Sequence, residues 1–136
     1  MGRVLAIDYG EKRTGIAITD PLQIVASGLT TVDTNTLIDF LKNYCSEENV
    51  DLFVVGLPKQ MNNQPSQSES LIKPFLKKLK SNFPRISIIR IDERFTSKIA
   101  LRTMIDLGLK KSQRQNKLLV DQISATLILQ SYLDSK

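Results

Sequence analysis

The sequence predicts an α/β fold: a mixed five-stranded sheet, three antiparallel strands followed by two parallel ones, with helices on both faces. Three observations predict it. Apolar segments 3–7 and 14–19 are joined by a connection so short that the pair must be an antiparallel hairpin. The unbroken apolar runs 51–57 and 86–91 have the character of strands buried on both faces. Helical periods alternate with these later strands, as βαβ crossovers require.

Taken in order, "RVLAI" (3–7) and "TGIAIT" (14–19) are strands joined by "DYGEKR", where Gly10 is free to adopt positive φ. "IVASGLTTV" (24–32) supplies a third strand. In "NTLIDFLKNYCSEE" (35–48), Leu37, Ile38, Leu41 and Tyr44 recur at helical spacing, with Thr34 or Asn35 as N-cap. "DLFVVGL" (51–57) is the fourth strand, and the turn-forming residues of 58–70 predict a loop. "LIKPFLKKLKSNF" (71–83) is an amphipathic helix with Leu71, Phe75 and Leu79 every four residues and Ile72 and Leu76 beside them; Pro74 must sit in its first turn or kink it. "ISIIRI" (86–91) is the fifth strand. A helix over 96–107, capped by Thr96 and stopped by Gly108, leads through a basic loop (110–117) into a last helix over 118–133.

Composition narrows the chemistry. The 136 residues fit one domain, and 41% hydrophobic with 24% charged residues is usual for a globular protein. No apolar run could cross a bilayer, no export signal is visible, and the single Cys45 can form no internal disulfide, so a cytoplasmic location is expected. There are no histidines, which excludes His-based triads and HExxH zinc sites. Charge is lopsided: residues 1–70 carry 5 Lys/Arg against 9 Asp/Glu, residues 71–136 carry 14 against 5. A basic half suggests a polyanionic partner, although a merely solvated surface would give the same count.

Three acids sit where packing alone would not put them. Asp8 ends the first strand on the face of Val4 and Ala6; a turn-initiating Asp is the plain structural alternative. Glu93 follows the fifth strand, where a solvated strand end would also explain it. Asp121 shares a helical stripe with Leu118, Ala125, Ile128 and Tyr132, so it needs a partner unless the helix dipole alone accounts for it. If the first and fifth strands run parallel, their C-terminal ends share one sheet edge, where open α/β sheets bind ligands. Three carboxylates gathered there repel one another unless neutralised, and a hard divalent cation does so.

The segments "AIDYGEKRTGIA", "VVGLP", "IDERFTS" and "VDQISATLIL", in this order and spacing, resemble the YqgF family, also described as RuvC-like resolvases or pre-16S rRNA nucleases. The resemblance spans nearly the whole chain. It implies a ribonuclease H-like fold, with Asp8, Glu93 and Asp121 as catalytic, metal-binding acids. It further implies hydrolysis of phosphodiester bonds with Mg²⁺ or Mn²⁺ in a two-metal-ion reaction, processing of the 5′ end of pre-16S rRNA, and Holliday junction resolution on branched DNA as the alternative. The chain departs from the family pattern at "MNNQPSQ", at Ser124-Ala125 and at "NKLLVD", which bears on loop geometry and substrate choice more than on the acids.

Basic residues cluster beside each acid: Lys12 and Arg13 after Asp8, Arg94 and Lys98 after Glu93, and Lys110, Lys111, Arg114 and Lys117 before Asp121. Such residues are candidate phosphate contacts that position nucleic acid without reading sequence. Two further readings compete. "DYG…TGIA" also resembles the first phosphate loop of sugar kinases and actin-like ATPases, but those enzymes need a second domain that 136 residues do not supply. A non-catalytic nucleic-acid-binding module would have no need of all three acids. Monomer and homodimer both remain open.

Overall fold

The computed structural model describes residues 2–57, 67–92 and 117–135. Its elements are β1 (Arg3–Asp8), β2 (Arg13–Thr19), β3 (Ala26–Asp33), a 3-10 turn (Thr34–Thr36), α1 (Leu37–Glu47), β4 (Val50–Leu57), α2 (Gln67–Asn82), β5 (Ser87–Asp92) and α3 (Lys117–Asp134). The strand order is β3-β2-β1-β4-β5. β2 is antiparallel to β1 and β3, while β4 runs parallel to β1 and β5. The expected mixed sheet is therefore present. The helix expected over 96–107 lies outside the described residues. No described helix is long and apolar enough to cross a membrane.

Alternation along the strands divides the core in two. Leu5, Ile7, Ile16, Phe53 and Val55 pack with Leu37 and Leu41 of α1 and Ile72, Phe75 and Leu79 of α2. Val4, Ala6, Ala17 and Val54 pack on the other face with Ala125, Ile128 and Leu129 of α3. The second face is lined by small residues, so α3 lies close to the sheet; a side chain at Gly28 would come within 3.3 Å of Thr126 Oγ1. Each fully buried Leu, Ile or Phe contributes roughly 1.5–3 kcal/mol. β1, β4 and β5 are parallel, so Asp8, Leu57 and Asp92 end on one edge of the sheet.

Four local expectations need correction. The loop expected over 58–70 is already helical from Gln67. A polar first turn carries no apolar period, so periodicity cannot see it. Pro74 consequently lies inside α2, where it has no N–H to donate one turn back. Of the expected apolar face, Ile72, Phe75 and Leu79 are buried, but Leu71 is 46% exposed. The residue before α1 is Thr36, not Thr34 or Asn35. The Thr34 hydroxyl is engaged elsewhere, donating to the Gly10 carbonyl at 2.6 Å and meeting Thr14 Oγ1 at 2.9 Å. Gly10 does not adopt positive φ; a side chain there would overlap the Arg13 carbonyl.

The turn between β2 and β3 lies at the opposite edge. Asp20 accepts backbone N–H groups from Leu22, Ile24 and Val25 at 3.1, 2.8 and 2.8 Å. The bonds from Val25 and Ile24 do most to hold its carboxyl below the usual Asp value. Gln23 takes the left-handed conformation, φ 58°, and its side-chain amide donates to the Gly2 carbonyl at 2.7 Å.

Candidate functional site

Asp8 is the last residue of the central strand and is half-buried. It alternates with Val4 and Ala6, which pack on α3, so it belongs to the α3 face. Its antiparallel partner in the ladder is Gly15. Directly opposed residues project to the same side, so the missing side chain of Gly15 leaves a space beside Asp8 on that face.

Asp121 fills that space. A side chain on Gly15 would overlap the Asp121 carbonyl and lie 3.1 Å from Asp121 Cβ. The apolar stripe of α3 explains how the acid arrives there. Ala125, Ile128 and Leu129 are 0–1% exposed against the sheet, and Asp121 stands one turn before Ala125, at the sheet edge. Gly15 was not among the candidate site residues. A glycine inside the strand pattern "TGIAIT" is the signal that marks it, since glycine in a strand interior often permits close backbone approach.

Arg13 opens β2 two residues before Gly15 and so shares its face. Its Nε donates to Asp121 Oδ2 at 3.0 Å across 108 residues of sequence. The side chains of the pair are 35% and 23% exposed. Arg13 was expected to contact phosphate; here it forms an ion pair with one of the candidate metal ligands. The turn carrying it is anchored by Thr34, whose N–H donates to the Lys12 carbonyl at 3.0 Å. Lys12 itself is exposed.

The other candidates are placed less fully. Glu93, Arg94, Lys98, Lys110, Lys111 and Arg114 lie outside the described residues. Lys117 is the first residue of α3. Among the described residues, no group of three or more acidic or cysteine side chains could hold a metal ion. Asp8 and Asp121 nevertheless supply two hard oxygen donors flanking Gly15, one its ladder partner and the other packed on its backbone. That donor set suits Mg²⁺ or Mn²⁺. The guanidinium already resting on Asp121 shows that the position attracts positive charge. Arg90, on β5, directs Nη2 to the Gly56 carbonyl at 2.9 Å and Nε to the Val55 carbonyl at 3.3 Å, tying β5 to the end of β4.

Comparison with known proteins gives a consistent result. A family model described as "RuvX: Holliday junction resolvase" matches residues 2–135. A Flavobacterium psychrophilum protein named "Putative pre-16S rRNA nuclease" is 62% identical over 136 residues, covering 100% of this chain and 99% of that protein. A Bacteroides fragilis protein of the same name is 57% identical over 136 residues, with the same coverage. Among solved structures, the fold is similar to that titled "T. thermophilus RuvC in complex with Holliday junction substrate". The TM-score is 0.58 at 16% identity, covering 99% of this chain and 96% of that one; the likeness is one of fold.

Proposed function

The chain belongs to the RuvX (YqgF) family, and from that membership we propose that it is a metal-dependent nuclease hydrolysing phosphodiester bonds in structured nucleic acid, processing the 5′ end of pre-16S rRNA in the cytoplasm. The observation that carries this reading is the placement of Asp8 and Asp121 on either side of Gly15, the first as its ladder partner and the second packed on its backbone. The shared name of relatives at 57–62% identity supports the choice of RNA.

Asp8 and Asp121 would hold the cation through carboxylate oxygens, with Glu93 as the third acid. Bound Mg²⁺ or Mn²⁺ would supply an activated water and charge stabilisation at the leaving oxygen, in the manner of two-metal phosphodiesterases. The chain's own residues do the positioning. β1 and α3 hold the two carboxylates at a fixed edge of a rigid sheet. The turn pinned by Thr34 presents Lys12 to solvent beside them. Lys12, with Arg94, Lys98, Lys110, Lys111, Arg114 and Lys117, would bear on phosphates of the substrate without reading its bases. Residues 1–136 act as one nuclease domain in this reading.

A second substrate, the four-way DNA junction, is favoured by the family description and by the fold shared with the RuvC–junction complex. Cleavage assays on a pre-16S 5′-end RNA and a four-way junction, each with and without Mg²⁺ or Mn²⁺, separate the two. Metal-dependent cleavage of the RNA with an intact junction is expected. Selective cleavage of the junction would transfer the function to DNA, and no cleavage of either would overturn the nuclease reading.

A further inference from the structure

Arg13 has two acidic neighbours and pairs with the more distant one in sequence. Asp33 lies directly opposite it in the β2–β3 ladder. Among the described residues, however, its ion pair is with Asp121, at 3.0 Å from Nε to Oδ2. Opposed residues on a sheet are ordinarily the nearest partners available. The selection of Asp121 therefore reflects how α3 seats the backbone and Cβ of that residue over Gly15, on the face Arg13 shares. The pair engages Oδ2, and Oδ1 has no partner among the described residues.

We propose that Arg13 is a positioning residue for the metal ligand Asp121, fixing its carboxylate through Oδ2 so that Oδ1 is held ready for a divalent cation. This role differs from a phosphate contact, and it rests on the nuclease reading above. The physical reasoning has two parts. Asp8 and Asp121 are acids of like charge on either side of one glycine, and a neighbouring guanidinium at 3.0 Å offsets their repulsion and holds the second carboxylate in place before any cation arrives. A metal-ligating carboxylate is commonly oriented by an outer hydrogen bond, and loss of that bond typically lowers metal affinity about 10- to 100-fold. Attachment through Nε leaves the opposite oxygen to the metal, so the guanidinium aims the ligand instead of competing for the same atom.

The test is Mn²⁺ affinity without nucleic acid, read by electron paramagnetic resonance or calorimetry. Arg13→Ala should weaken Mn²⁺ binding about 10-fold or more. Arg13→Lys restores charge without the planar fork and should recover only part of the loss; it also covers the case in which the alanine variant folds poorly. Lys12→Ala, in the same turn but exposed, should leave Mn²⁺ affinity unchanged while weakening nucleic-acid binding. Wild-type Mn²⁺ affinity, or tighter binding, in a folded Arg13→Ala protein would overturn the proposal. The controls separate this failure from a larger one. If wild type binds Mn²⁺ and Asp8→Asn does not, an unaffected Arg13→Ala variant refutes only the role of Arg13. A wild-type protein that binds no Mn²⁺ refutes the metal site itself.

Discussion

Gly15 and Asp121 are packed backbone against backbone: the space a side chain on Gly15 would need is occupied by the carbonyl of Asp121. Because Gly15 is also the ladder partner of Asp8, this contact places the two acids on either side of one glycine. Gly15→Ala should push the start of α3 off the sheet. Overpacking of this kind costs about 1–3 kcal/mol. Urea unfolding should show that loss, and metal-dependent cleavage should fall in protein that remains folded. A Gly15→Ala variant with wild-type stability and rate would show that the contact does not govern the site.

Affinity for nucleic acid should depend steeply on salt. Each phosphate neutralised on duplex DNA contributes about 0.9 to the slope of log affinity against log salt, and somewhat less on single strands. Lys12→Ala removes one exposed cation beside the site and should reduce the slope by about one such increment. A flat salt response in fluorescence anisotropy would remove the basic clusters from the binding surface.

The Asp20 turn offers a pH test remote from the chemistry. Backbone bonds, chiefly from Val25 and Ile24, depress its folded pKa below the ordinary 3.8. A depressed acid contributes stability fully above its unfolded pKa and loses it as pH falls through the lower folded value. The Leu22, Ile24 and Val25 amide signals should therefore titrate with a midpoint below 3.8 in an NMR series. A midpoint at or above that value would mean the three bonds do not favour the charged form.

The core should respond as a close-packed interior. Phe53 is fully buried and meets Phe83 edge to face, with ring centroids 5.3 Å apart. Phe53→Ala should cost about 3–5 kcal/mol in denaturant unfolding. A loss under about 1 kcal/mol would show that the β4 face is loosely packed.

Much of this was legible from spacing. The period-two pattern put Asp8 on the face of Val4 and Ala6, and the helical stripe put Asp121 in line with Ala125 and Ile128. Both placements follow from local geometry that hydrophobic patterning encodes directly. The Arg13–Asp121 pair was not legible, because nothing in a local period ties residues 108 apart. Thr34 was misread as a helix cap for a related reason: its hydroxyl serves Gly10, a tertiary partner, and tertiary bonding overrides local preference. The early start of α2 escaped because exposed polar residues leave no periodic trace.

The most direct test is the metal-dependent cleavage rate of Asp8→Asn beside wild type, on the RNA substrate in Mg²⁺ and in Mn²⁺, with thermal unfolding of both proteins followed in parallel. The account predicts cleavage reduced to background in a variant that unfolds cooperatively near the wild-type temperature. Wild-type cleavage by the folded variant would contradict it.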